Sequence, residues 1–128
     1  MNYLFDTNIV IYFLGKMVLS NSALNHIDKI CAHGVNLSII SRLELLGYHF
    51  EDAANEEATK KFVNSAHIYQ INPGIEDVTI QIRKATKIKL PDAIIAATAI
   101  NGNLTLITAN DKDFRHLTKL KILNPFDL

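Results

Sequence analysis

Four acidic places in the chain could do chemistry together: Asp6, Glu44, Asp92 and the close pair Asp111 and Asp113. Asp6 ends the apolar run Tyr3-Leu4-Phe5, and a helix-like run, Ile9–Leu14, follows at once. A strand that delivers a carboxylate at its C-terminal tip is how open α/β sheets present a site, in the crevice outside the strand ends. Glu44 and the Asp111/Asp113 pair also follow apolar, strand-like runs, so a parallel sheet would gather them at the same edge. Asp92 opens an apolar helix whose first turn can face that edge too. Carboxylates gathered in this way repel one another unless a multivalent cation neutralises them. Oxygen donors, with no Cys or His at metal-ligand spacing, point to Mg2+ or Mn2+ rather than zinc.

Each acid taken alone has an ordinary structural explanation. Asp6 suits the N-cap of the first helix. Ser41 with Glu44 three residues on matches a capping box, in which the Glu side chain reaches back to the amide of the cap. Asp92 suits a helix first turn, where the dipole favours negative charge. Asp111 and Asp113 fall in a loop, where Asp is common for turn reasons. Only together, gathered at one sheet edge, do the acids make a site.

The elements that must position these acids follow from hydrophobic spacing. Residues 2–6 read as a short buried strand, and the following helix closes at Gly15. Asn21 or Ser22 caps a helix with Leu24, Ile27, Ile30 and Cys31 on one face, and Gly34 ends it. Residues 35–39 form the next strand candidate, and Ser41 opens a helix running through Leu45, Leu46, Tyr48 and Phe50. A polar helix over 53–65 carries a narrow stripe of Ala54, Ala58, Phe62 and Val63, and a third strand covers 67–71. Pro73-Gly74 starts a helix to about Lys87, with Val78, Ile82 and Ala85 inward. Leu90-Pro91-Asp92 starts the most apolar helix, Ala93–Ile100, which is expected to be buried. A strong strand run over 104–108, loop and short helix over 109–119, and a last strand over 121–123 complete the chain. Strands alternate with helices throughout, which predicts an α/β sandwich with a mainly parallel sheet.

Composition bounds the alternatives. The chain has 128 residues, of which 48% are hydrophobic, so it fits one folded domain and not a disordered segment. No apolar run approaches the roughly 20 residues needed to cross a membrane. The N-terminus lacks a basic region and carries Asp6 inside its apolar run, so it does not read as a signal peptide. Cys31 is alone and reads as a small core residue of a reduced, cytoplasmic protein. Thirteen basic and thirteen acidic residues give a formal net charge of zero. That balance argues against gripping nucleic acid by bulk charge, while leaving room for an acidic centre offset by a basic rim.

Four blocks carry a resemblance. Leu4-Phe5-Asp6-Thr7-Asn8, Ser38-Ile39-Ile40-Ser41-Arg42-Leu43-Glu44-Leu45, Leu90-Pro91-Asp92-Ala93-Ile94-Ile95-Ala96-Ala97-Thr98-Ala99 and Leu106-Ile107-Thr108-Ala109-Asn110-Asp111-Lys112-Asp113-Phe114 occur in order and span nearly the whole chain. Together they resemble the PIN-domain nucleases, and among these the VapC-type toxins of bacterial toxin–antitoxin pairs. The resemblance implies a single PIN domain over residues 1–128 with a PIN-like three-layer α/β/α sandwich and a mainly parallel central sheet. It implies a cytoplasmic, Mg2+- or Mn2+-dependent endoribonuclease that cleaves RNA phosphodiester bonds. Asp6, Glu44 and Asp92 match the three acids that hold the cation. The fourth position is open. Counting from Thr108 selects Asn110, while counting back from Phe114 selects Asp111, with Asp113 beside Phe114. Charge favours Asp111 or Asp113, with Asn110 bridging through water or supporting a ligand. Thr7, Asn8 and Thr108 would orient carboxylates and water by hydrogen bonds. Asp92 is either a ligand or the base that takes the proton of the attacking water.

Two basic groups flank these blocks. Arg83, Lys84, Lys87 and Lys89 read first as a solvated helix face, with a rim for RNA phosphates as the alternative. Lys112 and Arg115, with His116 and Lys119, lie nearer the fourth block and read equally well as a rim for RNA phosphates. The five histidines show no metal-ligand spacing. Tyr12, Phe13, Tyr48 and Phe50 are core candidates that the resemblance also makes an antitoxin-binding patch, and it implies a homodimer. The rival readings are an RNA-processing PIN nuclease without toxicity, and a non-catalytic α/β binding domain whose acids are helix caps. A phospho-aspartyl enzyme would need a second Asp and a Thr spaced beside Asp6, and these are missing.

Overall fold

The first strand, β1 (Tyr3–Phe5), turns directly into α1 (Thr7–Leu14), with Asp6 as the N-cap between them. This is a computed structural model, and it describes residues 2–15 and 20–127. The chain continues through α2 (Asn21–Cys31), β2 (Asn36–Ser38), α3 (Ile39–Leu46), α4 (Ala53–Ser65), β3 (His67–Tyr69), α5 (Pro73–Ala85) and α6 (Leu90–Asn101). It ends with β4 (Thr105–Ile107), α7 (Asp111–Phe114), β5 (Lys121–Leu123) and a 3-10 turn at Pro125–Asp127.

All strand pairs among the described residues are parallel. β4 lies between β1 and β5, with Leu4 opposite Leu106 and Leu106 opposite Ile122. β2 pairs with β3, with Leu37 opposite Ile68. β2 also lies beside β1, where the Asn36 side-chain amide donates to the Tyr3 carbonyl (2.9 Å). Two parallel sheets result, β1–β4–β5 and β2–β3, with β2 lying against β1. Parallel neighbours need a crossover, and here helices supply it.

Alternation along β1 and β4 divides the interior into two cores. Leu4 and Leu106 join Ile75 and Ile82 of α5, the small face of α6 (Ala93, Ala96, Ala97) and Phe114. Phe5 and Ile107 point the other way, into Ile9, Val10, Ile27, Leu45 and Val63 from α1 to α4. The result is the three-layer α/β/α sandwich that the sequence predicts. Burying a side chain such as Phe5 or Leu106 contributes about 1.5–3 kcal/mol. The expectation that α6 is buried holds, since Ala93 and residues 95–99 are all buried. Its packing against α5 is close: a Cβ at Gly74 would stand 2.5 Å from the Asn101 side chain.

Several predicted boundaries move. Ser20, not Asn21 or Ser22, caps α2 through its hydroxyl. α3 starts at Ile39 with Ser38 as its cap, two residues before the predicted Ser41, and stops at Gly47 before Tyr48 and Phe50. Ala54 and Ala85, expected inward, are exposed, and Thr59 and Thr79 are buried on those helices. Both threonines donate their hydroxyls to a carbonyl one turn back, which satisfies them inside the fold.

Candidate active site

The site forms where β1 and β4 end side by side. Pairing continues past both strands: the Asp6 N–H donates to Ile107 O (2.9 Å) and the Thr108 N–H to Leu123 O (3.1 Å). These bonds fix the two side chains next to each other. Asp6 Oδ2 accepts from the Thr108 hydroxyl (2.7 Å), and Oδ1 accepts from the Thr7 N–H (2.8 Å). The second bond is the α1 cap, so capping explains one oxygen of Asp6 and leaves the other for the site. Asp6 is only 4% exposed. Burial pushes its pKa up to about 6; the Thr108 and Thr7 hydrogen bonds oppose that, and the charges of Asp92 and Glu44 add to it.

Glu44 rises from the second turn of α3 and does not reach back to a cap. Its Oε1 accepts from the Thr7 hydroxyl (2.7 Å), and Thr7 Oγ1 lies 2.9 Å from Ser41 Oγ. A hydroxyl has one proton to give. With the Thr7 proton directed at Glu44, Ser41 donates to Thr7, and the three groups form a directed chain from a fully buried serine to an exposed carboxylate.

Asp92 stands in the first turn of α6 and is half-buried. Burial raises its pKa first, followed by the charges of Glu44 and Asp113, while Lys89 opposes the rise. Asp92 and Asp113 line one cleft with Lys87, Ile88 and Lys89. Asp6, Glu44, Asp92 and Asp113 thus share one electrostatic neighbourhood at the C-terminal edge of the sheet.

Asp111 belongs elsewhere. Asn124 Nδ2 donates to its Oδ1 (3.1 Å), and Arg115 Nη2 donates to its Oδ2 (3.1 Å). These partners, Asn124 foremost, hold its carboxyl below the usual carboxylate range. It faces a separate groove with Arg115, Ile122, Asn124 and Asp127. The reason for the split is helical phase, because residues two apart on a helix do not share a face. Asn110 caps α7 without a side-chain cap bond; its N–H donates to Thr108 Oγ1 (3.0 Å) and its carbonyl accepts from the Asp113 N–H (3.0 Å). Asn8 is partly buried in the first turn of α1 and has no side-chain hydrogen bond among the described residues. Arg115 is committed to Asp111, and neither it nor the exposed Lys112 lines the cleft beside Asp92.

The donor set consists of oxygens alone, which suits a hard divalent cation. In this arrangement no three Asp, Glu, His or Cys side chains among the described residues stand close enough to hold one ion. Glu44, Asp92 and Asp113 have the exposure to turn inward, whereas Asp6 is fixed at both oxygens. The chemistry of the residues fits such an ion, with Asp6 as the fixed point.

One contributor, Ser41, escaped the sequence reading. Ser41 looked like a cap; its signal was its place three residues before Glu44 on the same helix face. Lys87 looked like part of a helix, yet α5 ends at Ala85.

Of the aromatic residues, Phe13 packs into the core beside Phe62, Tyr12 meets Phe126 edge-on (6.0 Å), and Tyr48 and Phe50 meet edge-on (4.9 Å) beyond α3. Tyr48 is exposed, as are Leu43 and Leu46 of α3. Tyr48 and Phe50 line a groove with Ile11, His49 and Asn55.

A parallel α/β sheet that ends one edge in mutually repelling carboxylates defines a class, the domains built around an oxygen-donor acidic centre. The PIN domain model matches residues 3–120, and the chain belongs to the PIN domain family. Its fold is similar to that of a chain in VapBC2 from Rickettsia felis bound to a promoter DNA fragment (TM-score 0.81, 24% identity, 97% of this chain and 98% of that one). It is also similar to a chain of a toxin–antitoxin complex from Klebsiella pneumoniae (TM-score 0.76, 29% identity, 99% and 100% covered). A third similar structure is FitAcB from Neisseria gonorrhoeae (TM-score 0.79, 23% identity, 98% and 99% covered). No curated protein matches the sequence.

Proposed function

We propose that this chain is a divalent-metal-dependent endoribonuclease and the toxin of a toxin–antitoxin pair. The observation that carries the reading is Asp6: buried, fixed at both oxygens, and raised to about pKa 6 partly by the charges of Asp92 and Glu44. A carboxylate raised first by burial and further by nearby acids is the setting a cation relieves. Asp6, Glu44, Asp92 and Asp113 would hold Mg2+ or Mn2+, which when bound supplies an activated water and charge stabilisation at a phosphodiester. Within the protein, Thr108 and the Thr7 amide orient Asp6, and the Ser41–Thr7 chain orients Glu44. Asp92, its pKa raised, is placed to accept a proton from water at the cleft.

The toxin assignment draws on family membership and on relatives that were solved as VapBC and toxin–antitoxin complexes. An antitoxin with an apolar segment fits the groove lined by Tyr48 and Phe50. The proposal includes a homodimer and a cytoplasmic location; no described helix is long and apolar enough to cross a membrane.

The test is cleavage of total cellular RNA by the purified protein with Mg2+ or Mn2+, against EDTA and Asp6→Asn controls. Cleavage that needs both the metal and Asp6 is expected. A protein equally inert as wild type and Asp6→Asn, and not stabilised by Mn2+, would end the nuclease reading in favour of a binding domain.

A further inference from the structure

The cleft beside the acidic centre is lined by two cations, Lys87 and Lys89, together with Ile88, Asp92 and Asp113. The segment that carries them is extended: Thr86 has φ −141° and ψ 173°, and Lys89 has φ −65° and ψ 148°. In extended chain alternate residues share a side. Lys87 and Lys89 therefore flank Ile88, which packs against the core formed by α5 and α6.

The backbone between them is tied down at both polar groups. Arg83 Nη1 donates to Ile88 O (2.6 Å), and the Ile88 N–H donates to Thr86 Oγ1 (3.3 Å), whose hydroxyl bonds back to Ile82 O (2.9 Å). Arg83 thus serves the fold and leaves the two lysines to face the cleft. Both are exposed, and neither is ion-paired among the described residues. Arg115, by contrast, is paired with Asp111.

We propose that Lys87 and Lys89 form a phosphate clamp that seats the backbone of single-stranded RNA along the cleft wall beside Asp92 and Asp113. The inference rests on the nuclease reading above and assigns its substrate-binding residues. A polyanion must approach four carboxylates to be cut, and phosphates next to the scissile one need cations of their own. Side chains two residues apart in extended chain project about 6.5 Å apart, the scale of one nucleotide step.

The experiment compares the wild type with Lys87→Gln/Lys89→Gln, Lys87→Arg/Lys89→Arg and Lys112→Gln/Arg115→Gln. Cleavage kinetics are measured on a labelled single-stranded RNA. Binding of the same RNA over a salt series is measured in the Asp6→Asn background. For the double Gln variant KM should rise about tenfold with kcat within about twofold. The slope of log affinity against log salt should shrink by about 1.4, two phosphates at about 0.7 each. The Arg pair should restore both, and the Lys112/Arg115 variant should change neither. An unchanged KM and salt slope, in a protein whose wild type cleaves RNA, would overturn the clamp and leave the nuclease standing. A fall in kcat alone would also overturn it, because the lysines would then act through Asp92. Wild type that neither binds nor cleaves RNA would overturn both.

Discussion

The sheet edge at Asp6 and the corner at Asp111 hold the same side chain in opposite settings. Asp6 is buried among other acids, and its partners are a hydroxyl and an amide. Asp111 sits beside a guanidinium and a carboxamide, more open to water. The first carboxyl is raised to about 6 and the second is held low. Asp111 is stabilised as an anion by partners already present. Asp6 is an anion at neutral pH against its surroundings, and this is the arrangement that gains from a cation. Proximity in sequence is a poor guide: Asp113 shares the cleft of Asp92 and adds to the rise of its carboxyl, and Asp111, two residues away, does neither.

The largest effect is expected from Asp6→Asn. Its folded-state pKa of about 6 exceeds the unfolded value of about 3.9, so the folded protein binds this proton more tightly. Asp6 therefore contributes stability below about pH 4, and that contribution is lost as pH rises through about 6. The metal-free wild type should be less stable than Asp6→Asn at pH 7, by up to about 3 kcal/mol, and the gap should close near pH 4. Urea denaturation in EDTA at the two pH values measures this, and a gap independent of pH would contradict the raised carboxyl.

Thr108→Val removes the hydroxyl that orients Asp6 and should weaken Mn2+ affinity by about 10–100-fold, read by calorimetric titration. Equal affinity would mean that Asp6 needs no support. The pair Asp113→Asn and Asp111→Asn tests the division directly. Asp113→Asn should slow RNA cleavage by about tenfold or more, and Asp111→Asn should leave it within about twofold, the ordinary size of a change remote from the reacting groups. Equal losses would erase the contrast. The smallest change is expected from Asn124→Ala, which frees Asp111 from its first partner. A barely measurable fall in melting temperature with unchanged Mn2+ affinity would agree with a purely structural corner.

Much of this arrangement is legible in the sequence, for identifiable reasons. Asp6 announces itself because an apolar run too short for a helix ends on a charge. The burial of α6 follows from an alanine-rich segment with no polar face. The fourth acid is not legible, because the choice between Asp111 and Asp113 depends on the phase of a four-residue helix, too short to show a period. Ser41 and Glu44 match a capping box by type and spacing. Only the position of the α3 start, fixed by the Ser38 hydroxyl on the Ile40 amide, separates a cap from a hydrogen-bond relay. The basic residues misled for a related reason. A helix carried on to Lys87 spreads Arg83, Lys84 and Lys87 over its surface and leaves Lys89 in the link beyond it. The actual end of α5 at Ala85 leaves two of them on the helix and two on the extended cleft wall.

The pairing of β1 with β4 matches Tyr3 to Thr105 and places Asp6 against Thr108, a separation of 102 residues along the chain. During synthesis Asp6 is made 102 residues before the hydroxyl that completes its surroundings. A chain interrupted before Thr108 can carry Asp6, Glu44 and Asp92 and still lack the edge that gathers them. Under the proposed function, a product cut short before Thr108 is expected to lack cleavage activity, because the order of synthesis withholds the edge until the fold can close.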